Sequence, residues 1–156
     1  MPSRSFKCGE AGQAIRFSCP KGIIDGFRKA AAKSFPWEEY AVLIGNREGD
    51  LVTVHDIWYP DGRKKLAGLF STEHIFSVKE WMREAKRIAR SKGMEVLADI
   101  HSHPDCSQCH PSEEDWDGMR SDWIQGICGV YRAKKRIRTR VRFWGPAKKI
   151  KEFYRE

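Results

Sequence analysis

The stretch Asp99-Ile100-His101-Ser102-His103-Pro104 decides how the rest of the chain is read. Before it, Met94 to Ile100 is mostly apolar and reads as a buried strand. Side chains at i and i+2 of a strand point to one face, so His101 and His103 project together from the strand's end, as two ligands of one metal must. Pro104 cannot donate to a ladder, and the strand is expected to stop there. Downstream, Pro111-Ser112-Glu113-Glu114-Asp115 reads as a helix start. A short loop folding that helix back on the strand would bring Asp115 to the two imidazoles. Two neutral nitrogens and one carboxylate oxygen suit zinc, and three protein ligands leave a fourth position for water. Each half has an ordinary explanation as well. A His pair is often surface or core filler, and Ser-x-x-Asp is a capping-box variant. The combination, on a strand end and a helix start joined by a short loop, points to a metal centre.

His101-x-His103-Pro104, seven residues, then Ser112-x-x-Asp115 resembles the signature of the JAMM (MPN-plus) metalloproteases, in the form of their stand-alone prokaryotic members. The segment Pro36-Trp37-Glu38-Glu39-Tyr40-Ala41-Val42-Leu43-Ile44-Gly45 is similar to the family's glutamate-bearing segment and puts the family glutamate at Glu38, with Glu39 as the neighbour it could be confused with. The order of expected elements fits over nearly the whole chain. The resemblance implies an α/β fold in a single domain over residues 1–156: a curved mixed β-sheet flanked by helices, of the cytidine-deaminase-like kind.

Composition agrees with one globular domain. The chain has 156 residues, 40% hydrophobic and 12% aromatic, which argues against disorder and allows a sizeable core. No apolar run is long enough to span a bilayer, and Met1 to Lys7 lacks the apolar core of a signal peptide, so a cytoplasmic protein without a membrane partner is expected. Five cysteines cannot all pair within one chain. The formal charge is +8, and Arg132, Lys134, Lys135, Arg136, Arg138, Arg140 and Arg142 account for all but one of those charges. The excess is one local stripe.

Along the chain, Ala14 to Cys19 reads as a strand and Ile23 to Ser34 as a helix ended by Pro36. Tyr40 to Ile44 is a short strand closed by Gly45, and Leu51 to Tyr59 returns as its hairpin partner. After a loop over Pro60 to Ser71, a helix capped by Ser71 or Thr72 runs to about Lys92, with Ile75, Val78, Trp81, Met82, Ala85, Ile88 and Ala89 at helical spacing. The histidine strand follows, then a helix from Ser112 to about Trp123, strands over Ile124 to Arg132 and Ile137 to Trp144, and a short helix in the tail from Pro146 with Ile150 and Phe153 inward.

Zinc held by His101, His103 and Asp115 would lower the pKa of its bound water from about 16 to near 7. On the resemblance, Glu38 takes that water's proton and passes it to the leaving amine, and Ser112 donates to the developing oxyanion. The family includes enzymes that cut after the C-terminal glycine of a ubiquitin-like protein. That implies a deubiquitinase-like hydrolase acting on a ubiquitin-like protein or its conjugate, beside ubiquitin-activating-like and ubiquitin-conjugating-like enzymes, some of them in antiviral operons. Processing of a sulfur-carrier protein's tail is the close variant, and a non-catalytic basic binding module the distant one. Asp61, Gly62, Leu66, Gly68, Leu69 and Phe70 could wall the groove for an extended tail, or form an ordinary surface loop. Cys106 and Cys109, with His110, could hold a second, structural zinc, but lack a clear fourth ligand and read more simply as surface thiols. Asp99 shares the His101 face by parity and could hydrogen-bond a histidine, but reads more simply as an exposed or structural carboxylate, and His55 and His74 read as uninvolved. Arg136, Arg138, Arg140 and Arg142 share one strand face, either as a solvated edge or as a surface for an acidic protein. Nucleic acid is the weaker match, because no aromatic residues interleave with the arginines.

Overall fold

A computed structural model describes residues 5–7, 14–49, 51–60, 75–106, 109, 124–145 and 149–150. In chain order the elements are β1 (Ser5–Lys7), β2 (Ala14–Ser18), α1 (Lys21–Ser34), β3 (Tyr40–Glu48), β4 (Leu51–Trp58), α2 (Ile75–Ser91), β5 (Glu95–Pro104), β6 (Ile124–Ala133), β7 (Arg136–Trp144) and β8 (Lys149–Ile150). All strands belong to one mixed sheet in the order β1-β2-β4-β3-β5-β6-β7-β8. The β2/β4 and β5/β6 pairs are parallel, and the others are antiparallel.

The two helices cover opposite faces because alternate residues of the central strands carry two different apolar sets. Ile24, Phe27 and Ala31 of α1 pack with Ala41, Leu43, Ala98, Ile100, Cys128 and Val130. Ala85 and Ala89 of α2 pack with Tyr40, Val42 and Ile44. The sheet is curled: the rings of Phe17 on β2 and Phe143 on β7 lie 4.7 Å apart between centroids, although four strands separate them in the sheet order. This is the α/β class with a curved mixed sheet and flanking helices. Among the described residues, no helix is long and apolar enough to cross a membrane.

Several expectations change. β3 does not end at Gly45 but runs through it to Glu48, with a register shift between Ile44 and Gly45. A Cβ on Gly45 would lie 1.9 Å from the carbonyl oxygen of Thr53, so the glycine permits a close approach of two backbones at a bulge and does not terminate the strand. The tail is not helical at Lys149–Ile150, which pairs antiparallel with Phe143 and Trp144. Pairing there satisfies backbone groups at the end of an edge strand, a non-local gain that helical periodicity cannot report. The short β1 was not anticipated. The expected helix over Ser112 to Trp123, the cap at Ser71 or Thr72, the groove residues Asp61, Gly62, Leu66, Gly68, Leu69 and Phe70, and Phe153 lie outside the described residues.

Gly45→Ala should cost about 2 kcal/mol or more, because the new methyl group must displace backbone. Urea unfolding checks this, with a midpoint equal to wild type as the contrary result.

Candidate metal and hydrolase site

β5 lies between β3 and β6, in the middle of the sheet. Its even residues Ala98 and Ile100 enter the α1 core, so its odd residues Asp99, His101 and His103 face the other way. His101 is almost fully buried at 1% exposure, and His103 is half-buried. Their Nε2 atoms lie 2.9 Å apart, a contact in which one ring nitrogen must be unprotonated to accept. Two nitrogens on one tetrahedral zinc, each about 2.0–2.1 Å from it, stand about 3.3 Å apart. The pair therefore needs to open by only a fraction of an ångström to share an ion. The donor set fits zinc as far as it is described. Among the described residues no group of three or more His, Cys, Asp or Glu side chains comes together, and Asp115, Ser112 and His110 lie outside them.

The two glutamates stand just before the β3–β5 ladder. The ladder ends with Tyr40 opposite His101, and the half-buried Glu38 lies two residues before that pair, at an isolated bridge. Glu39 belongs to the α1 face and is buried at 3% exposure. Its Oε2 accepts from Ser34 Oγ at 2.8 Å and its Oε1 from the Tyr40 N–H at 3.2 Å. Its own N–H donates to Ser102 Oγ at 2.7 Å, while the Ser102 N–H donates to the Glu39 carbonyl at 3.0 Å. Glu39 thus ties the C-terminus of α1, the start of β3 and the histidine strand together. Sequence reasoning missed this role, and an adjacent pair of glutamates at a strand start was the only signal for it.

Asp99 is buried and accepts a hydrogen bond from the Tyr40 hydroxyl at 3.3 Å. Burial, reinforced by the neighbouring Asp99 carboxylate, holds the Tyr40 phenol well above its ordinary pKa, so it stays a donor. The structural reading of Asp99 is the one that the geometry carries. His55 is exposed on β4 and His74 is outside the described residues.

Cys109, expected as a surface thiol, is not one. Cys109 is buried against Ile127 and Trp144, and its carbonyl accepts from the Trp144 indole N–H at 2.7 Å. Cys106 is half-buried, with its N–H donating to the Val130 carbonyl at 3.2 Å. Cys19 and Cys128 sit in the α1-face core, where burial pushes both thiols up to about 12. All four are free.

Two outcomes follow from these contacts. Glu39→Ala leaves Ser34 and the Tyr40 N–H without their acceptor and should cost about 1–3 kcal/mol, measured by denaturant unfolding; an unchanged midpoint would show that the carboxylate bears no load. Iodoacetamide at mildly alkaline pH should modify Cys106 well before Cys19, Cys109 or Cys128, because burial keeps the reagent from all three and leaves Cys19 and Cys128 almost no thiolate. Peptide mapping by mass spectrometry reads the order, and early labelling of Cys128 would contradict the burial described above.

Among curated proteins, none matches the chain in sequence. Solved structures share the fold. A protein from Salinibacter ruber superposes with a TM-score of 0.63 at 18% identity, over 90% of this chain and 92% of that one. A JAB1/MPN domain protein from Archaeoglobus fulgidus gives 0.55 at 19% identity, over 90% and 97%. A structure described as a JAMM metalloprotease-like zinc site in the proteasome and signalosome gives 0.51 at 15% identity, again over 90% and 97%. The profile of the Prok-JAB family matches residues 20–144, from the turn before α1 to the end of β7. With most of its length under that match, the chain belongs to the prokaryotic homologs of the JAB domain.

Proposed function

We propose that the protein is a zinc-dependent peptidase or isopeptidase that hydrolyses the bond after the C-terminal glycine of a ubiquitin-like protein. The observation that carries this reading is the convergence of the His101 and His103 Nε2 atoms to 2.9 Å at the end of a central strand. Glu38, half-buried two residues before the Tyr40–His101 pair, supports it, and so does membership in a family related to JAMM proteins.

His101 and His103 would hold the ion, with Asp115 as the expected third ligand. When bound, zinc supplies a Lewis acid that acidifies the attacking water and polarises the scissile carbonyl. The chain's own part is positional and acid–base. Tyr40 and Asp99 fill the sheet face beside His101 and leave that ring little room to turn. Glu38 takes a proton from water as its oxygen bonds to the carbonyl carbon, and returns it to the leaving nitrogen as the C–N bond breaks. Ser112 is the expected donor to the oxygen that gains charge.

A cleavage panel of ubiquitin-like fusions and a sulfur-carrier fusion tests the reading and separates its two substrate classes. Wild type should bind one zinc and cleave at the glycine, and chelation should abolish turnover until zinc is restored. Glu38→Ala should keep its zinc and lose about 10²–10⁴ in kcat. Full activity in that variant would remove Glu38 from the mechanism. Wild-type protein that takes up no zinc and cleaves nothing would leave a binding module.

A further inference from the structure

The arginines of β7 share the sheet face of the histidines. Three strands run in register across it: His103, Gly129 and Arg140 form one row, and His101, Ile127 and Arg142 the next. Two strand spacings, about 10 Å, separate the backbones of β5 and β7. From Arg142 the stripe continues through Arg140 and Arg138 to Arg136, about 20 Å along the strand, and ends at the Lys134-Lys135 hairpin tip. Arg136, Arg138 and Arg140 are exposed and Arg142 is half-buried.

Three observations give this stripe a ligand. The described ion pairs all lie elsewhere, at Lys21–Asp25, Arg28–Asp25, Arg47–Glu95, Arg87–Glu84 and Lys92–Asp56, so among the described residues no carboxylate meets any of the four guanidinium groups. Like charges set at alternate positions repel one another, and an anion that bridges them relieves that cost. The opposite face of β7 packs against α1, where Arg28 donates to Thr139 Oγ1 at 2.8 Å, so a partner on that side would compete with the helix. Finally, β8 pairs with β7 only at Phe143 and Trp144; among the described residues no strand pairs with the outer edge of 136–142.

We propose that this face holds an acidic, extended protein segment with carboxylates at alternate positions, contributed by the substrate on the hydrolase reading above. A strand repeats its side chains every two residues, about 6.8 Å, and the alternate arginines of β7 leave the backbone at that same interval. Planar guanidinium forks match carboxylates two bonds at a time. An added strand would also find the backbone groups of the β7 edge within reach. Nucleic acid fits less well, because among the described residues the only aromatic side chain beside the exposed arginines on this face is Tyr131, opposite Arg138, and one ring makes no run of stacking platforms.

The test is fluorescence anisotropy at about 150 mM salt with the full chain carrying Glu38→Ala, so that binding is read without turnover. The probes are a labelled peptide of alternating glutamate and threonine and a thymidine oligonucleotide of equal charge. The peptide should bind more tightly than the oligonucleotide. The double substitution Arg138→Thr and Arg140→Thr should weaken it about tenfold or more, whereas Lys29→Thr with Lys33→Thr, an equal loss of charge on α1, should change it less than about twofold. Circular dichroism and zinc content certify that each variant is folded. Tighter binding of the oligonucleotide, equal effects of the two double variants, or no peptide binding would each overturn the proposal and leave a solvated edge. A chain that bound the peptide but cleaved no fusion would sink the hydrolase reading alone; one that cleaved a fusion yet ignored the peptide would sink this proposal alone.

Discussion

The register between β3 and β5 is the constraint on which the site depends. Tyr40 opposite His101 and Val42 opposite Asp99 fix which residues of β5 face which helix. A strand has a period of two, so a slip by one residue would turn both imidazoles into the α1 core and Ile100 and Ser102 onto the other face. Burial prevents this slip from both sides. Ala98 and Ile100, with their β3 partners Leu43 and Ala41, are committed to the α1 core, and Tyr40, Val42 and Ile44 to the α2 core. Glu39 and Ser102 then lock the end of the ladder with two reciprocal hydrogen bonds at 2.7 and 3.0 Å. The histidines owe their common direction to the cores beneath and beside them.

That dependence explains what could be read from the sequence. Two histidines at i and i+2 on an apolar strand carry their geometry in their spacing, and the α2 stripe from Val78 to Ala89 carries its helix in the same way. The Glu38–Glu39 alternative was also resolvable in kind, since adjacent strand residues must face opposite ways. Which of them faced the histidines needed the pairing partner, and that is a long-range fact. Gly45 was misread because glycine usually punctuates; here the neighbouring Thr53 carbonyl demands it. The Lys149–Ile150 strand and the burial of Cys109 depend on contacts with β7 and cannot be seen in local pattern.

The sheet's two faces divide the work. On the α1 face, Cys19, Phe17, Phe27 and Phe143 close an apolar core across the curled sheet, and the thiols there are inert because burial disfavours thiolate. On the other face, α2 covers β3 and β5, and the polar groups gather beyond it: Asp99 with Tyr40, the two histidines, then the arginines of β7. Charge is thus concentrated on the half of one face that α2 leaves uncovered. Such segregation is costly in a fold unless the field has a use.

The same topology fixes the direction in which the chain travels after the histidine strand. β5 and β6 are adjacent and parallel, with Ile124 level with Ala98 and Val130 level with Pro104. Parallel neighbours need a crossover, so the chain that leaves β5 beyond His103 must return to the level of Ala98 before β6 begins. Asp115 lies on that crossover by sequence. The crossover is already held at its first residues, where the Cys106 N–H bonds to Val130, and again at Cys109 against Ile127 and Trp144. Ile127 is the register neighbour of His101. The connection is therefore anchored at Cys109 on the histidine face, one strand from the imidazoles.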